Sequence, residues 1–256
     1  LSLRRQRQMC IRDSDTVIGE IKAGTADGKK VAVVGAGPAG IASAYFLARA
    51  GASVTVFEKE EKAGGVIRYV IPGFRISDDA IDKDVSFIQK MGVEIKTGTE
   101  VKSVQELKAQ GYDAVIVATG ANKPGTLKLE KGETINALKF LRDFKATDGK
   151  AALGKNVVVI GGGNVAIDVA RDSKRCGSDM VKVNMFCLES RETMPASVEE
   201  IEEAESEGIV VNPGWGPKEV LVDDYGEVRG IVLKKCLSVK DADGRFNPCL
   251  LYTSPS

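Results

Sequence analysis

The chain has 256 residues, 43% hydrophobic and 28% charged, with 36 basic and 36 acidic side chains and no histidine. That composition suits a folded protein with a core of its own. The zero net charge gives no footprint for nucleic acid, and no apolar run approaches the ~18 residues of a membrane span. Without histidine, Ser-His-Asp catalysis, Cys-His catalysis and histidine metal sites are excluded together, and five cysteines lacking a C-x-x-C pair support neither a disulfide framework nor a zinc ribbon, so a reducing cytoplasm is the expected location.

Residues 1–14, LSLRRQRQMCIRDS, are basic and carry neither helical nor strand periodicity. Met9–Asp13 is a translation of ATGTGTATAAGAGACAG, and Cys249–Thr253 is a translation of its reverse complement. One short DNA string read in both directions therefore flanks the chain, and residues 1–14 and 249–256 are read as non-native tags. Setting 1–14 aside removes four Arg and one Asp and leaves 32 basic and 35 acidic residues, a net charge of −3.

KKVAVV (29–34) is a short apolar run bounded by polar residues, the pattern of a buried strand. GAGPAG follows, then a helix, IASAYFLARAG (41–51), stopped at Gly51, then a strand, ASVTVFE (52–58). This is a strand–turn–helix–strand unit that ends in an acid. Gly35 permits the tight turn, Gly37 lets the backbone approach a pyrophosphate, and Gly40 lets helix and strand pack closely. Pro38 and Ala39 open the helix, whose free N–H groups face the phosphates, and a proline near the helix start loses little by lacking its own N–H. Glu58, 23 residues after Gly35, stands where a ribose hydroxyl is bound.

Next come an amphipathic helix over 77–92, a strand over 93–101, a short helix over 103–111 opened by a capping box of Ser103 and Glu106, and a buried strand over 112–121. A connecting helix is expected over 135–145. Then the first plan repeats: strand 154–160, turn and helix 161–177, strand 180–189. Gly161, Gly162, Gly163, Asn164 and Val165 form the turn, and Ala166 takes the third glycine's place, where a methyl group still fits. Glu189 closes the second strand, 28 residues after Gly161. The acidic stretch 197–208 reads as a helix with a solvated face, and 209–239 as strands and turns.

Two such units in series resemble the glutathione-reductase-like flavoproteins. FEKEEKAGG (57–65), IPGFRIS (71–77), YDAVIVATGA (112–121), GGGNVAIDVAR (161–171) and RETMPASVEE (191–200) narrow the resemblance to the NAD(P)H:FAD oxidoreductases of the glutamate synthase small (beta) subunit type, a module also found in dihydropyrimidine dehydrogenase. The resemblance spans about residues 28–248. It implies an α/β fold of two Rossmann-like dinucleotide-binding domains in series, truncated at the C-terminus: an incomplete FAD-binding domain over 15–150 and an NAD(P)-binding domain over 151–248. The FAD site it implies comprises Gly35, Gly37, Pro38, Ala39, Gly40, Glu58, Lys59, Gly64, Gly65, Arg75, Val101, Thr119 and Gly120, with Arg75 as the flavin-site arginine. Gly161 to Ala166 with Glu189 and Arg191 form the implied nicotinamide site.

Relatives that reduce disulfides carry a Cys pair after the double glycine or in the nicotinamide domain; here Cys176, Cys187 and Cys236 stand alone, as ordinary buried or half-buried thiols. The family's last FAD-binding strand, with its Gly-Asp, and the cysteine-rich iron–sulfur segment that commonly precedes the first fingerprint are not found in this sequence. The implied activity passes hydride from NADH or NADPH to FAD and electrons on to an iron–sulfur partner or subunit. The rivals are an FAD-dependent NADH dehydrogenase or monooxygenase of the same fold and a non-catalytic FAD/NAD-binding assembly subunit.

NADPH-using members of the resembled family carry a basic pair just after the second strand of the second unit. Alignment on Met194-Pro195 puts Leu188 and Glu189 there. A carboxylate repels a 2′-phosphate but accepts hydrogen bonds from a free 2′-hydroxyl. Arg191 either reaches a phosphate or pairs with Glu189. The expected cofactors are FAD, with NAD(H) favoured over NADP(H).

Overall fold

The computed structural model describes residues 24–251 apart from 124, 126, 128, 152 and 177–180, so the expected tag residues 1–14 and 252–256 lie outside the described residues. By contacts the chain divides into two compact units, Leu1–Asn122 and Lys123–Ser256.

In the first unit, β1 (Lys30–Val34), β2 (Ser53–Phe57), β3 (Glu94–Lys96) and β4 (Ala114–Val117) form a parallel sheet in the order β3-β2-β1-β4. The register sets Val31 between Val54 and Ala114. Parallel strands need crossover connections, and α1 (Pro38–Arg49) and α3 (Asp78–Lys90) supply them. Val33, Ala44, Ala48, Val54, Val56, Ile88 and Val93 form the shared core. The small residues Ala44 and Ala48, one turn apart, let α1 lie close to the sheet. Between β2 and α3 sits a short helix the sequence pattern did not reveal, α2 (Val66–Tyr69). The remaining helix, α4 (Val104–Ala109), is capped by the Ser103 hydroxyl, which accepts from the Gln105 amide rather than making the expected box with Glu106.

In the second unit, β5 (Asn156–Ile160), β6 (Lys182–Cys187) and β7 (Val210–Pro213) form a parallel sheet in that order. Helix α6 (Asn164–Arg175) crosses from β5 to β6, and α7 (Val198–Ser206) leads into β7. Ile167, Ala170, Val183, Met185, Ile201 and Ala204 meet in its core. Helix α5 (Ala137–Ala146) packs against α6. The segment 123–150, which the sequence reading attached to the first domain, thus clusters with the second unit. An antiparallel meander follows, β8 (Trp215–Val222), β9 (Val228–Lys240) and β10 (Phe246–Leu250), so Cys249 and Leu250 of the second expected tag lie in a strand.

Candidate dinucleotide-binding sites

The first fingerprint sits at the C-terminal end of β1. Gly35 has φ +103°, and its N–H donates to the Phe57 carbonyl at 2.7 Å. A Cβ on Gly35 would stand 2.4 Å from the Ala118 oxygen and 3.3 Å from the Thr119 nitrogen. A Cβ on Gly40 would stand 1.8 Å from the Gly35 oxygen. The fold itself therefore demands these two glycines. Gly37 is different: its backbone is ordinary extended chain, and a Cβ there would meet nothing nearer than the Gly65 Cα at 3.9 Å. Protein packing does not require that glycine, whereas close approach of a ligand to the backbone does.

The double glycine comes to the same place. The Gly64 N–H donates to the Ala36 carbonyl at 2.8 Å. Gly65 has φ +55°, and a Cβ on it would lie 2.8 Å from the Gly37 Cα. Glu58 is buried, 5% exposed, and its carboxylate accepts from the Ala36 amide (2.7 Å) and the Glu60 amide (2.9 Å). It ties the end of β2 to the turn after β1.

The remaining expected residues surround this centre or lie apart. Pro38 and Ala39 form the exposed first turn of α1. Thr119 and Gly120 follow β4, both exposed, with Gly120 at φ +73°. Val101 packs with Ala32, Phe57 and Leu107, and Lys59 is exposed. Arg75 is half-buried in the turn after Pro72, with its guanidinium over the Phe74 ring, 5.5 Å from the centroid.

The arginine packed against the double glycine is Arg68, which sequence reasoning missed. It is 4% exposed, on α2. Its Nε donates to the Ala63 carbonyl at 2.5 Å, and its guanidinium pairs with Asp82 and lies 3.3 Å from Asp78. Its Cβ and Nε occupy the space a Gly64 side chain would need. The available signal was Asp78 and Asp82, two acids one helical turn apart on a face that also buries Ile81.

The second fingerprint repeats the geometry at the end of β5. Gly161 has φ +137°, and its N–H donates to the Phe186 carbonyl at 2.9 Å. A Cβ on Gly162 would meet Glu189 Oε2 and Cys187 Cβ, each at 3.0 Å, so the strand-end carboxylate stands beside the turn. A Cβ on Gly163 would meet nothing within 4 Å. Ala166 is buried against Gly161, with 3.3 Å between its methyl and a Gly161 Cβ, while Asn164 and Val165 are exposed. The loop carrying Met194-Pro195 is stitched to the turn, because Ala196 N–H donates to the Gly162 carbonyl at 3.0 Å and Ser197 N–H to Asn164 Oδ1 at 3.1 Å.

Arg191 does not pair with Glu189. Its two terminal nitrogens face both oxygens of Glu205, with Nη2 2.7 Å from Oε2. The hydrogen bond from Arg191 holds the Glu205 carboxyl below its ordinary range. The acidic helix is likewise more than a solvated face: Glu203 and Glu207 pair with Arg171 of α6, and Glu207 also takes Arg175. On α6, burial pushes the Asp172 carboxyl up to about 7 against the opposing pull of Arg175. Burial also pushes the Cys187 thiol up to about 11, and Cys176, Cys187 and Cys236 are free, as expected. Among the described residues no helix is long and apolar enough to cross a membrane, and no cluster of three or more His, Cys, Asp or Glu could hold a metal ion.

The helix starts bear on what the two turns can hold. Among the described helices of six or more residues, α3, α4, α5 and α7 are capped by the side chains of Ser77, Ser103, Asn136 and Ser197. Helices α1 and α6 begin at Gly37 and Gly163, and neither has a side-chain cap. Neither start sets a side chain over its first-turn amides, and a Cβ at Gly37 or Gly163 would meet no protein atom closer than 3.9 Å, an arrangement that fits a pyrophosphate. The residues present fit a dinucleotide in each unit.

The chain is similar to several known proteins. The chain is 44% identical over 192 residues to the putative oxidoreductase YgfK of Escherichia coli K12, covering 73% of this chain and 18% of that protein. It is 35% identical over 249 residues to a putative glutamate synthase [NADPH] small chain of Cereibacter sphaeroides, covering 89% of this chain and 59% of that one. Among solved structures it shares the fold of Mycobacterium tuberculosis FprA in complex with NADPH, with a TM-score of 0.70 at 19% identity over 87% of this chain and 67% of that chain. The chain thus spans less than two thirds of these curated relatives. The family model described as pyridine nucleotide-disulphide oxidoreductase matches residues 29–245. With two dinucleotide turns of one geometry in its two units, this chain belongs to the pyridine nucleotide-disulphide oxidoreductase family and has the architecture of an FAD-dependent NAD(P)H oxidoreductase.

Proposed function

We propose that the chain is the relay module of a larger oxidoreductase. In this reading NADH docks on the unit carrying Gly161 to Ala166, FAD is held on the unit carrying Gly35 to Gly40, and electrons leave to an iron–sulfur partner or subunit. The observation that carries it is the pair of helices, α1 and α6, that start on glycine without a side-chain cap while the four other described helices of six or more residues have one.

FAD, when bound, supplies the hydride and electron chemistry that no side chain of this protein offers. The residues bind and orient. The first-turn amides of α1 face one pyrophosphate, Gly37 and Gly65 keep its path clear, and Glu58 fixes the turn while presenting carboxylate lone pairs to a ribose. Lys59, Arg75, Val101, Thr119 and Gly120 belong to the same proposed site, and the amides at Asn164 and Val165 serve the second pyrophosphate. No acid or base side chain is required, in keeping with a chain that has no histidine.

The preference for NADH rests on this chain's own residues, because the glutamate synthase relative's name and the FprA complex both carry NADPH. Glu189 holds its carboxylate beside Gly162, and the nearby cation, Arg191, is engaged by Glu205. A 2′-phosphate against that carboxylate costs on the order of 1 kcal/mol or more, roughly tenfold in affinity. The relatives' greater lengths support a role as one part of an assembly that includes the electron acceptor.

Anaerobic bleaching of the flavin in the full-length parent protein tests the reading. NADH should bleach it efficiently. Bleaching about tenfold faster with NADPH would overturn the nicotinamide preference, and no bleaching with either would point to an assembly subunit.

A further inference from the structure

Resting on that NADH reading and extending it, we propose that Glu205 is a specificity-determining residue: it occupies the Arg191 guanidinium and so withholds that cation from a 2′-phosphate. Arg191 opens the short 3-10 turn Arg191–Thr193, two residues beyond Glu189. Glu189 in turn has its Oε2 beside Gly162, between the first two glycines of the fingerprint. Arg191 therefore stands next to the position where the adenosine ribose of a bound nicotinamide nucleotide is read. Its planar fork is already matched by both oxygens of one carboxylate, an arrangement that uses the same donors a phosphate would use. Glu205 lies near the end of α7, an element held in place by Ile201 and Ala204 in the core and by Glu203 on Arg171. The carboxylate is thus presented by a fixed helix. The pair is partly exposed, 42% for Arg191 and 37% for Glu205. A near-surface pair of this kind biases a binding equilibrium by about two- to fivefold, and it is weak enough to be broken by one substitution.

The fold expresses two determinants that push the same way. Glu189 repels a 2′-phosphate directly, and Glu205 removes the counter-charge that would have offset the repulsion. The second is invisible to any alignment of the strand end, because Glu205 is fourteen residues from Arg191.

The test uses calorimetric binding of adenosine 2′,5′-bisphosphate and adenosine 5′-phosphate to the whole chain, which needs neither flavin nor turnover. Glu205→Ala should raise the affinity ratio of bisphosphate to monophosphate by about two- to fivefold, with monophosphate affinity unchanged as the sign of an intact turn. The gain should vanish in the double variant Glu205→Ala/Arg191→Ala. Glu202→Ala removes the same charge from the same helix, one that acts on Arg191 only through space and makes no hydrogen bond to it, and should change the ratio less than Glu205→Ala does. Glu205→Gln keeps the side-chain volume and gives the same direction if the alanine variant does not fold. An unchanged ratio in the Glu205 variants, or a gain that survives loss of Arg191, overturns the proposal. A wild-type chain that binds the bisphosphate more tightly sinks the NADH reading instead, and the effect of Glu205 is then judged on the change in ratio alone.

Discussion

Ala36 donates its amide to Glu58 Oε2 at 2.7 Å, a buried hydrogen bond that joins the turn after β1 to the end of β2 across 22 residues. With the other oxygen of the same carboxylate on the Glu60 amide, one side chain sets the shape of the first turn. Replacing Glu58 by Ala leaves a buried N–H without a partner, which costs about 1–3 kcal/mol. Glu58→Gln keeps one acceptor but turns an NH2 toward the other donor, for a loss of about 1 kcal/mol. Chemical denaturation should rank the variants Gln before Ala, and FAD titration should show weakened binding in both. Equal stability of Glu58→Ala and wild type would contradict the geometry.

The glycines of each fingerprint should separate into two classes on substitution by alanine. At Gly40 the new methyl would stand 1.8 Å from the Gly35 carbonyl oxygen, so the turn must open. That variant should lose stability by about 3 kcal/mol or more, in the range of severe overpacking. At Gly37 and Gly163 the methyl meets no protein atom closer than 3.9 Å, so Gly37→Ala and Gly163→Ala should melt within a few degrees of wild type. They should nevertheless weaken FAD and nicotinamide binding respectively, because the methyl stands where a pyrophosphate must approach. A binding-neutral Gly37→Ala would remove the first site from the proposal.

Arg68 clamps the double-glycine loop to α3. Arg68→Met keeps the buried stem but leaves Asp78 and Asp82 without the shared guanidinium and frees the Ala63 carbonyl. Since both acids are more than half exposed, water takes over much of their solvation, and the expected loss of stability is about 1–2 kcal/mol. The sharper readout is FAD affinity, which should fall in Arg68→Met and fall less in Asp82→Asn. Nucleotide binding to the second unit should stay unchanged in both.

Asp172 gives the second unit a pH dependence of definite sign. Its folded pKa is pushed up to about 7 by burial, above the ordinary carboxylate value of 3.8. The folded state therefore holds a proton that the unfolded state has lost. This contribution is fully present below pH ~4 and is lost as pH rises toward ~7, with a full swing on the order of 2–4 kcal/mol. Asp172→Asn, neutral at every pH, should lie closest to wild type near pH ~4 and gain most over it near pH ~8. Thermal melts at the two pH values check this; a gain that is equal at both would show that Asp172 ionises as readily in the folded protein as in the unfolded chain.

Local chemistry wrote the two βαβ units into the sequence in readable form. Glycine runs after short apolar strands, a proline at the first position of α1 and alternating burial along β6 all depend on neighbours within a few residues. Each predicted strand and helix of those units appears within a few residues of its expected bounds. Helix α2 was missed because four residues are too few for a periodic signal, and Arg68 on it reads as a surface cation until the fold buries it beneath Asp78 and Asp82. The acidic helix read as solvated because its three pairing glutamates find their arginines 14 to 36 residues away.

The sequence by itself determined that there are two glycine-rich strand–turn–helix units and that an acid, Glu189, stands at the strand end of the second. Such features follow from backbone sterics and short-range order. Only the tertiary structure decided which glycines packing requires and which it leaves free of protein contact, that each Glu58 oxygen accepts from a backbone amide, and that Arg191 faces Glu205 instead of Glu189. Those outcomes depend on where distant segments meet, because a carboxylate or guanidinium takes whichever partner the fold brings within about 3 Å.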